Sequence, residues 1–163
     1  MEILSSFTTA QLSTILEKSI LFVTDWTERG IFLADIQSAA GFGSRREFSY
    51  AGVLRAALGL ALQEKFHIGR DFIKSILYML WLKGFFRDWS KKIFEKDDEG
   101  LIPIFLLIIN PHDDEESKWF FLTGKLDEVY RIFPFFAREA EAALFIDLIP
   151  IKKSIDEKIA QLD

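Results

Sequence analysis

Residues 31–48 constrain the fold more than any other stretch, because they interrupt the helical patterning of the N-terminal half of the chain. "IFLADIQSAAGFGSRREF" lacks the spacing of a helix and contains two glycines. The simplest prediction is a β-hairpin with strands near 31–34 and 45–48. Arg45 and Arg46 would stand close to its tip. They are either solvated turn residues or contacts to a phosphate backbone, since arginine can bind phosphate through two N–H groups at once.

Two short helices are predicted before this hairpin. "TTAQLSTILEK" (8–18) offers a threonine cap and places its apolar residues at helical spacing. Ser19 can cap a second helix, which ends at Gly30, where a left-handed residue is favoured. Two short helices joined by about two residues form a helix-turn-helix pattern.

Two longer helices are predicted after the hairpin. Ser49 can cap a helix that extends to about Lys65, with leucine and alanine side chains along one face. A fourth helix begins near Arg70 or Asp71 and extends to Gly84, and the pattern also allows it to continue past that glycine.

An aromatic cluster belongs to this fourth helix. On a continuous helix, Trp81, Phe85 and Trp89 would share one face. Such a face predicts packing on the C-terminal sheet, a dimer interface or the wall of an effector pocket.

The chain changes character after the charged stretch "KDDEG" (96–100), which is the predicted domain boundary. Beyond it we predict strands at 101–109, 118–124 and 142–151, a helix at 125–133 and a terminal amphipathic helix. The predicted fold class is therefore α+β. A mostly helical N-terminal domain with a β-hairpin (1–95) precedes a small α/β domain with a short sheet and a terminal helix (96–163).

Charge is distributed unequally between the two halves of the chain. The net charge of −5 divides into +1 for residues 1–84 and −6 for residues 85–163. The N-terminal half can therefore present a local basic face, although the whole chain is acidic. The chain has no cysteine, shows no secretory signal and has no apolar stretch long enough to span a membrane as a helix. We expect a cytoplasmic protein without a membrane partner.

Candidates for catalysis and for metal binding are weak. His67 and His112 have no ligand partner at a suitable spacing, and the acidic run 113–116 is typical of an exposed loop. "GFGS" (41–44) lacks the lysine and the hydroxyl residue that follow in a phosphate-binding loop. The sequence predicts no catalytic residue, cofactor or metal ion, and we do not expect an enzyme.

Three segments together resemble the MerR-type winged helix-turn-helix family over about residues 7–80. "LSTILEKSILFVTDWTERGI" (12–31) resembles its helix-turn-helix, "GFGSRREFSYAGV" (41–53) the end of its wing, and "EKFHIGRDFIKSIL" (64–77) the helix that follows. The matching residues are Leu12, Ser19, Val23, Trp26, Gly30, Arg46, Phe48, Ser49 and Val53. The sequence departs from the family at the first turn, where Glu17 and Lys18 replace Gly-Val, and it lacks the long dimerising helix.

The resemblance implies a transcriptional regulator that binds double-stranded DNA as a homodimer. Helix 19–29 would lie in the major groove and the wing at 35–47 along the phosphate backbone. The implied DNA contacts are Lys18, Ser19, Phe22, Thr24, Arg29, Arg45 and Arg46. Trp26 would be a core residue, and Arg55 and Lys74 would lie on solvated faces of the supporting helices.

Two other functions remain open. Helix 19–29 carries Asp25 and Glu28, and its only basic residue is Arg29. Sparse positive charge favours a protein-interaction module on a winged-helix scaffold that no longer binds DNA. The aromatic residues also allow a small-molecule-binding domain whose helix-turn-helix is incidental. In the DNA-binding interpretation, the C-terminal domain (96–163) would serve dimerisation or sensing, with an unknown small-molecule or protein effector.

Overall fold

The computed structural model describes residues 6–37, 45–91, 104–110, 118–122, 131 and 142–162. The helices are α1 (Thr9–Leu16), α2 (Ile20–Glu28), α3 (Tyr50–Phe66), α4 (Arg70–Leu82), α5 (Phe85–Lys91) and α6 (Leu148–Ile159). The strands are β1 (Phe7–Thr8), β2 (Glu47–Phe48), β3 (Ile104–Asn110), β4 (Lys118–Leu122) and β5 (Ala142–Asp147). The fold is mixed and mostly helical, with small antiparallel sheets.

The chain divides into two compact units that do not follow the order of the sequence. The first contains residues 1–92 together with 154–163, and the second contains residues 93–153. The predicted boundary at 96–100 lies outside the described residues. The end of α6 belongs to the first unit, although the second unit separates it from the rest of that unit along the chain.

Side chains at the helix ends define α1 and α2 as predicted. The Thr8 hydroxyl accepts from the Gln11 N–H at 3.3 Å, and the Gln11 side chain accepts from the Thr8 N–H at 2.9 Å. This reciprocal pair satisfies two donors that the helix itself cannot satisfy. Glu17 then ends α1 in the left-handed conformation, at φ 54°. The Ser19 hydroxyl starts α2 by accepting from the Phe22 N–H at 3.2 Å.

The predicted strand at 31–34 is wrong. The backbone N–H groups of Ile31 and Phe32 both donate to the Trp26 carbonyl, at 2.9 and 3.1 Å, and the two side chains are buried. These donors close the C-terminus of α2 and are not available for a strand ladder. The antiparallel partner of β2 is β1, and Gln37 forms a bridge to Glu47. The predicted hairpin tip lies in residues 38–44, outside the described residues.

The core of the first unit is built around α3, whose residues are buried continuously from Gly52 to Leu62. A Cβ at Gly52 would lie 2.5 Å from the Asp35 carboxylate, which itself accepts from the Ser49 N–H at 2.9 Å. A Cβ at Gly59 would lie 2.8 Å from Leu77, so glycine allows α3 and α4 to pack closely.

Arg55 on α3 is buried, which corrects the prediction of a solvated position. Its side chain is 2% exposed, and the guanidinium lies 5.6 Å from the ring centre of Trp81. Its N–H groups donate to the carbonyls of Ile31, at 3.3 Å, and Gly30, at 3.5 Å. Burial lowers the pKa of Arg55 to about 10. Arg55 therefore joins α3 to the segment that follows α2.

The continuation of the fourth helix past Gly84 is also wrong. Gly84 has φ 72°, so α4 ends at Leu82 and α5 begins at Phe85. Trp81 and Trp89 consequently lie on different helices. Phe86 brings them into one cluster, because its ring centre lies 6.3 Å from each of theirs.

The second unit contains a three-stranded antiparallel sheet in the order β4-β3-β5. The prediction extended the last strand to residue 151, but β5 ends at Asp147. The Asp147 carboxylate accepts from the Ile149 N–H at 2.9 Å, which starts α6. Pro150 fits the first turn, where a backbone N–H has no helical acceptor. The predicted helix at 125–133 lies almost entirely outside the described residues.

Residues 154–162 pack within the first unit. Ile155 is 4% exposed, the Tyr50 hydroxyl donates to Asp156, and Lys158 lies 3.1 Å from Glu17. Within the part of the chain that the structure describes, no helix combines the length and apolarity needed to cross a membrane.

Candidate nucleic-acid interface

A concavity of about 540 Å³ lies between the start of α1, the start of α2 and the residues before β2. Antiparallel pairing of Thr8 with Glu47 places Arg45 and Arg46 beside the first turn of α1. The concavity is lined by Thr8, Thr9, Ala10, Ile20, Thr24, Arg45 and Arg46. Three of the predicted DNA contacts, Thr24 and the two arginines, therefore meet at one site.

The two sides of α2 have different roles. Val23 and Trp26 are fully buried and attach the helix to the core, which confirms the prediction for Trp26. At 100° per residue, the opposite side carries Ile20, Leu21, Thr24, Asp25 and Glu28, and we call these five residues the outer face. Ile20 is 54% exposed and Leu21 is 81% exposed. The outer face is thus apolar in its first turn and acidic in its last.

Phe22 lies away from the outer face. Its ring stacks on Trp26 with 4.8 Å between centres, and it lies 6.4 Å from the ring of Phe32. The structure places this predicted contact in an aromatic cluster behind α2. Ser19 lies at the start of the same helix, where its hydroxyl forms the cap.

Most of the predicted basic contacts form ion pairs with carboxylates. Arg46 lies 3.0 Å from Glu28, and Arg29 donates to Asp25 at 2.7 Å. This hydrogen bond is the main reason that the pKa of Arg29 is raised above its ordinary value. The positive charge near α2 is therefore largely neutralised within the protein itself.

The other two predicted basic contacts, Lys18 and Arg45, differ from each other in whether a carboxylate pairs with them. Lys18 forms an ion pair with Glu64 near the end of α3 and does not line the concavity. Arg45 is exposed, and no described carboxylate pairs with it. Arg45 is accordingly the predicted contact that is best placed to meet an anionic ligand.

Sequence reasoning missed the first turn of α1 and the apolar half of the outer face. The first turn of α1 joins the site because β1 pairs with β2. Each of these strands has two residues, which are too few to show the alternation of apolar and polar residues that predicts a strand. Ile20 and Leu21 could have been found by projecting α2 as a helix with Val23 and Trp26 facing the core.

No metal site accompanies this interface: the described residues bring no three histidine or acidic side chains together. The acidic run beside His112 lies outside the described residues. Comparison with known proteins finds no matching family model and no similar curated protein.

Proposed function

We propose that this chain is a cytoplasmic transcriptional regulator of the winged helix-turn-helix type that binds double-stranded DNA as a homodimer. The single observation that carries the proposal is the concavity that joins Arg45 and Arg46 to the first turn of α1 and to Thr24. In this reading α2 lies in the major groove, and residues 35–47 form a wing on the phosphate backbone.

A phosphate group fits the chemistry of the concavity. Thr9 and Ala10 occupy the first turn of α1, where backbone N–H groups have no acceptor within a helix and the helix dipole favours an anion. Arg45 adds a full positive charge and a geometry that suits phosphate oxygens. Phosphate contacts of this kind position a protein on DNA without reading its sequence.

The geometry of α2 is compatible with an approach to base edges. Ile20 and Thr24 lie one turn apart and line the concavity, so the start of α2 faces the same ligand as the arginines. In helix-turn-helix proteins, the N-terminal residues of the second helix contact the bases. A two-fold operator would allow a homodimer to place two such helices in successive turns of the major groove.

One set of observations favours a second function, docking of a protein partner on α2. Glu28 neutralises Arg46, Asp25 neutralises Arg29, and Ile20 and Leu21 are exposed. Exposed apolar side chains beside neutralised charges are typical of protein interfaces. In this alternative the winged-helix scaffold is retained without affinity for DNA.

A binding titration separates the two functions. The full chain is titrated onto labelled duplex DNA from upstream of its own gene and onto a scrambled duplex, each at low and at near-physiological salt. We expect salt-dependent binding that favours the upstream duplex and weakens in Arg45→Ala. Arg87→Ala is the matched control, since it removes the same charge from an exposed position on α5 outside the concavity.

The contrary result is equally informative. Absence of binding to either duplex at low salt, where phosphate contacts are strongest, would contradict the DNA-binding proposal. Sedimentation of the free protein and of the complex tests the proposed homodimer separately.

A further inference from the structure

The side chains of α2 exclude the usual means of reading purines. Guanine is read in the major groove by arginine or lysine, and adenine by asparagine or glutamine. The helix "ILFVTDWTE" contains none of these four residue types. A regulator that uses α2 must therefore obtain its sequence preference from another kind of contact.

The carboxylates of the outer face are already engaged by arginine. Asp25 accepts from Arg29 at 2.7 Å and lies 3.8 Å from Arg70, while Glu28 lies 3.0 Å from Arg46. These partners compete with the cytosine amino group, which is the base-edge donor that a carboxylate can accept. Ile20, Leu21 and Thr24 remain as the part of the outer face that is available to a ligand.

These three residues present apolar carbon at the start of the helix. Ile20 is 54% and Leu21 81% exposed, and Thr24, whose side chain carries a methyl group as well as a hydroxyl, lines the concavity. The thymine 5-methyl group is the apolar feature among the base-edge groups of the major groove. Arg45 lies at the same concavity as Ile20 and Thr24, so a backbone phosphate and a nearby base could be contacted together.

We propose that Ile20, Leu21 and Thr24 read thymine methyl groups, so that the preferred DNA site is defined by thymines in the major groove. This inference rests on the proposed DNA-binding function and adds the chemical feature by which the protein selects its site. Burial of one methyl group changes affinity by about fourfold, and two such contacts by about 15-fold.

Replacement of thymine by uracil tests this inference, because it removes the methyl group and keeps every base-pairing hydrogen bond. The full chain first selects duplexes from a pool with a randomised central segment. The selected pool is then copied with deoxyuridine in place of thymidine, and both forms are titrated with the protein. We expect the uracil form to bind about 15-fold more weakly.

The double variant Ile20→Ala/Leu21→Ala assigns the effect to α2. Both positions are exposed, so the variant is expected to fold, and it should bind the thymine and uracil forms almost equally. Tyr78→Ala/Leu82→Ala is the matched control, since it removes two exposed apolar side chains from α4. This control should keep the full preference for thymine.

The outcomes distinguish the inference from the function on which it rests. A pool that shows no binding at low salt contradicts DNA binding itself. Equal binding of the thymine and uracil forms of the selected pool overturns only the thymine inference. The same conclusion follows if the Ile20→Ala/Leu21→Ala variant keeps the preference for thymine. Binding to the pool without any sequence enrichment also overturns it and favours a protein partner for the outer face.

Discussion

The guanidinium of Arg46 lies 3.0 Å from the carboxylate of Glu28, which joins the residue before β2 to the last turn of α2. Arg46 is 22% exposed and Glu28 is 61% exposed, so the acid is the more solvated partner. The pair fixes an arginine at the edge of the proposed DNA site while cancelling its charge. Glu28 thereby limits the attraction of the site for anions.

Removal of that carboxylate should strengthen DNA binding. In Glu28→Gln, Arg46 is released and one negative charge leaves the outer face, so we expect several-fold tighter binding at low salt. Stability should change by less than about 1 kcal/mol, because the pair is partly exposed. Asp88→Asn is the control, as it makes the same charge change on α5. Equal gains in both variants would show that only net charge matters.

Arg45 should contribute one phosphate contact. In Arg45→Ala, the slope of log K against log salt concentration should become shallower by about 0.9, because one fewer counterion is released. Titrations at several salt concentrations measure the slope. An unchanged slope would place Arg45 outside the contact surface, whatever the change in affinity.

Replacement of Gly52 by a residue with a side chain should destabilise the fold. In Gly52→Ala, the new Cβ would lie 2.5 Å from the Asp35 carboxylate that holds the start of α3, so we expect a loss of about 1–3 kcal/mol in the free energy of unfolding. Urea denaturation measures the loss. Gly69→Ser is the comparison, since no atom lies within 4 Å of its added Cβ and the serine can cap α4. That variant should gain a few tenths of a kcal/mol.

The contact between Tyr50 and Asp156 should depend on pH. Burial, followed by the hydrogen bond to Asp156, raises the pKa of Tyr50 above its ordinary value of 10. The stabilisation by neutral Tyr50 is therefore fully present below pH 10 and is lost as the pH rises further, where the unfolded chain ionises first.

The variant Tyr50→Phe tests this dependence. It should cost about 1 kcal/mol at neutral pH, and the difference from the unchanged protein should shrink above pH 10. Urea denaturation across this pH range measures it. Tyr78→Phe, which removes a hydroxyl from an exposed side chain, should change stability at neutral pH by less than about 0.5 kcal/mol. A constant cost for Tyr50→Phe at every pH would contradict the prediction.

Local signals made the helices of the first unit predictable. Thr8, Ser19 and Ser49 each cap a helix by accepting from the backbone N–H three residues later. Both partners of each hydrogen bond are therefore close together in the sequence. The same holds for Gly30, whose φ of 73° ends α2. Such features depend little on the rest of the fold.

Features that depend on distant partners were not predictable. The sequence around Arg55 is typical of a solvated helix position. In the structure its guanidinium is buried among the carbonyls of Gly30 and Ile31 and the ring of Trp81. The concavity likewise depends on the pairing of Phe7 with Phe48 across the first unit. In each case the deciding contact joins residues that no local pattern connects.

The discontinuity of the first unit has a consequence for synthesis on the ribosome. Residues 154–162, which supply Ile155, Asp156 and Lys158 to that unit, emerge after the whole of the second unit has been made. The contacts of Tyr50 with Asp156 and of Glu17 with Lys158 therefore form only after the second unit has been synthesised. Domains usually fold in order from the N-terminus during synthesis. The nascent first unit therefore leaves the surface that later receives Ile155 exposed to solvent until residues 154–162 have emerged.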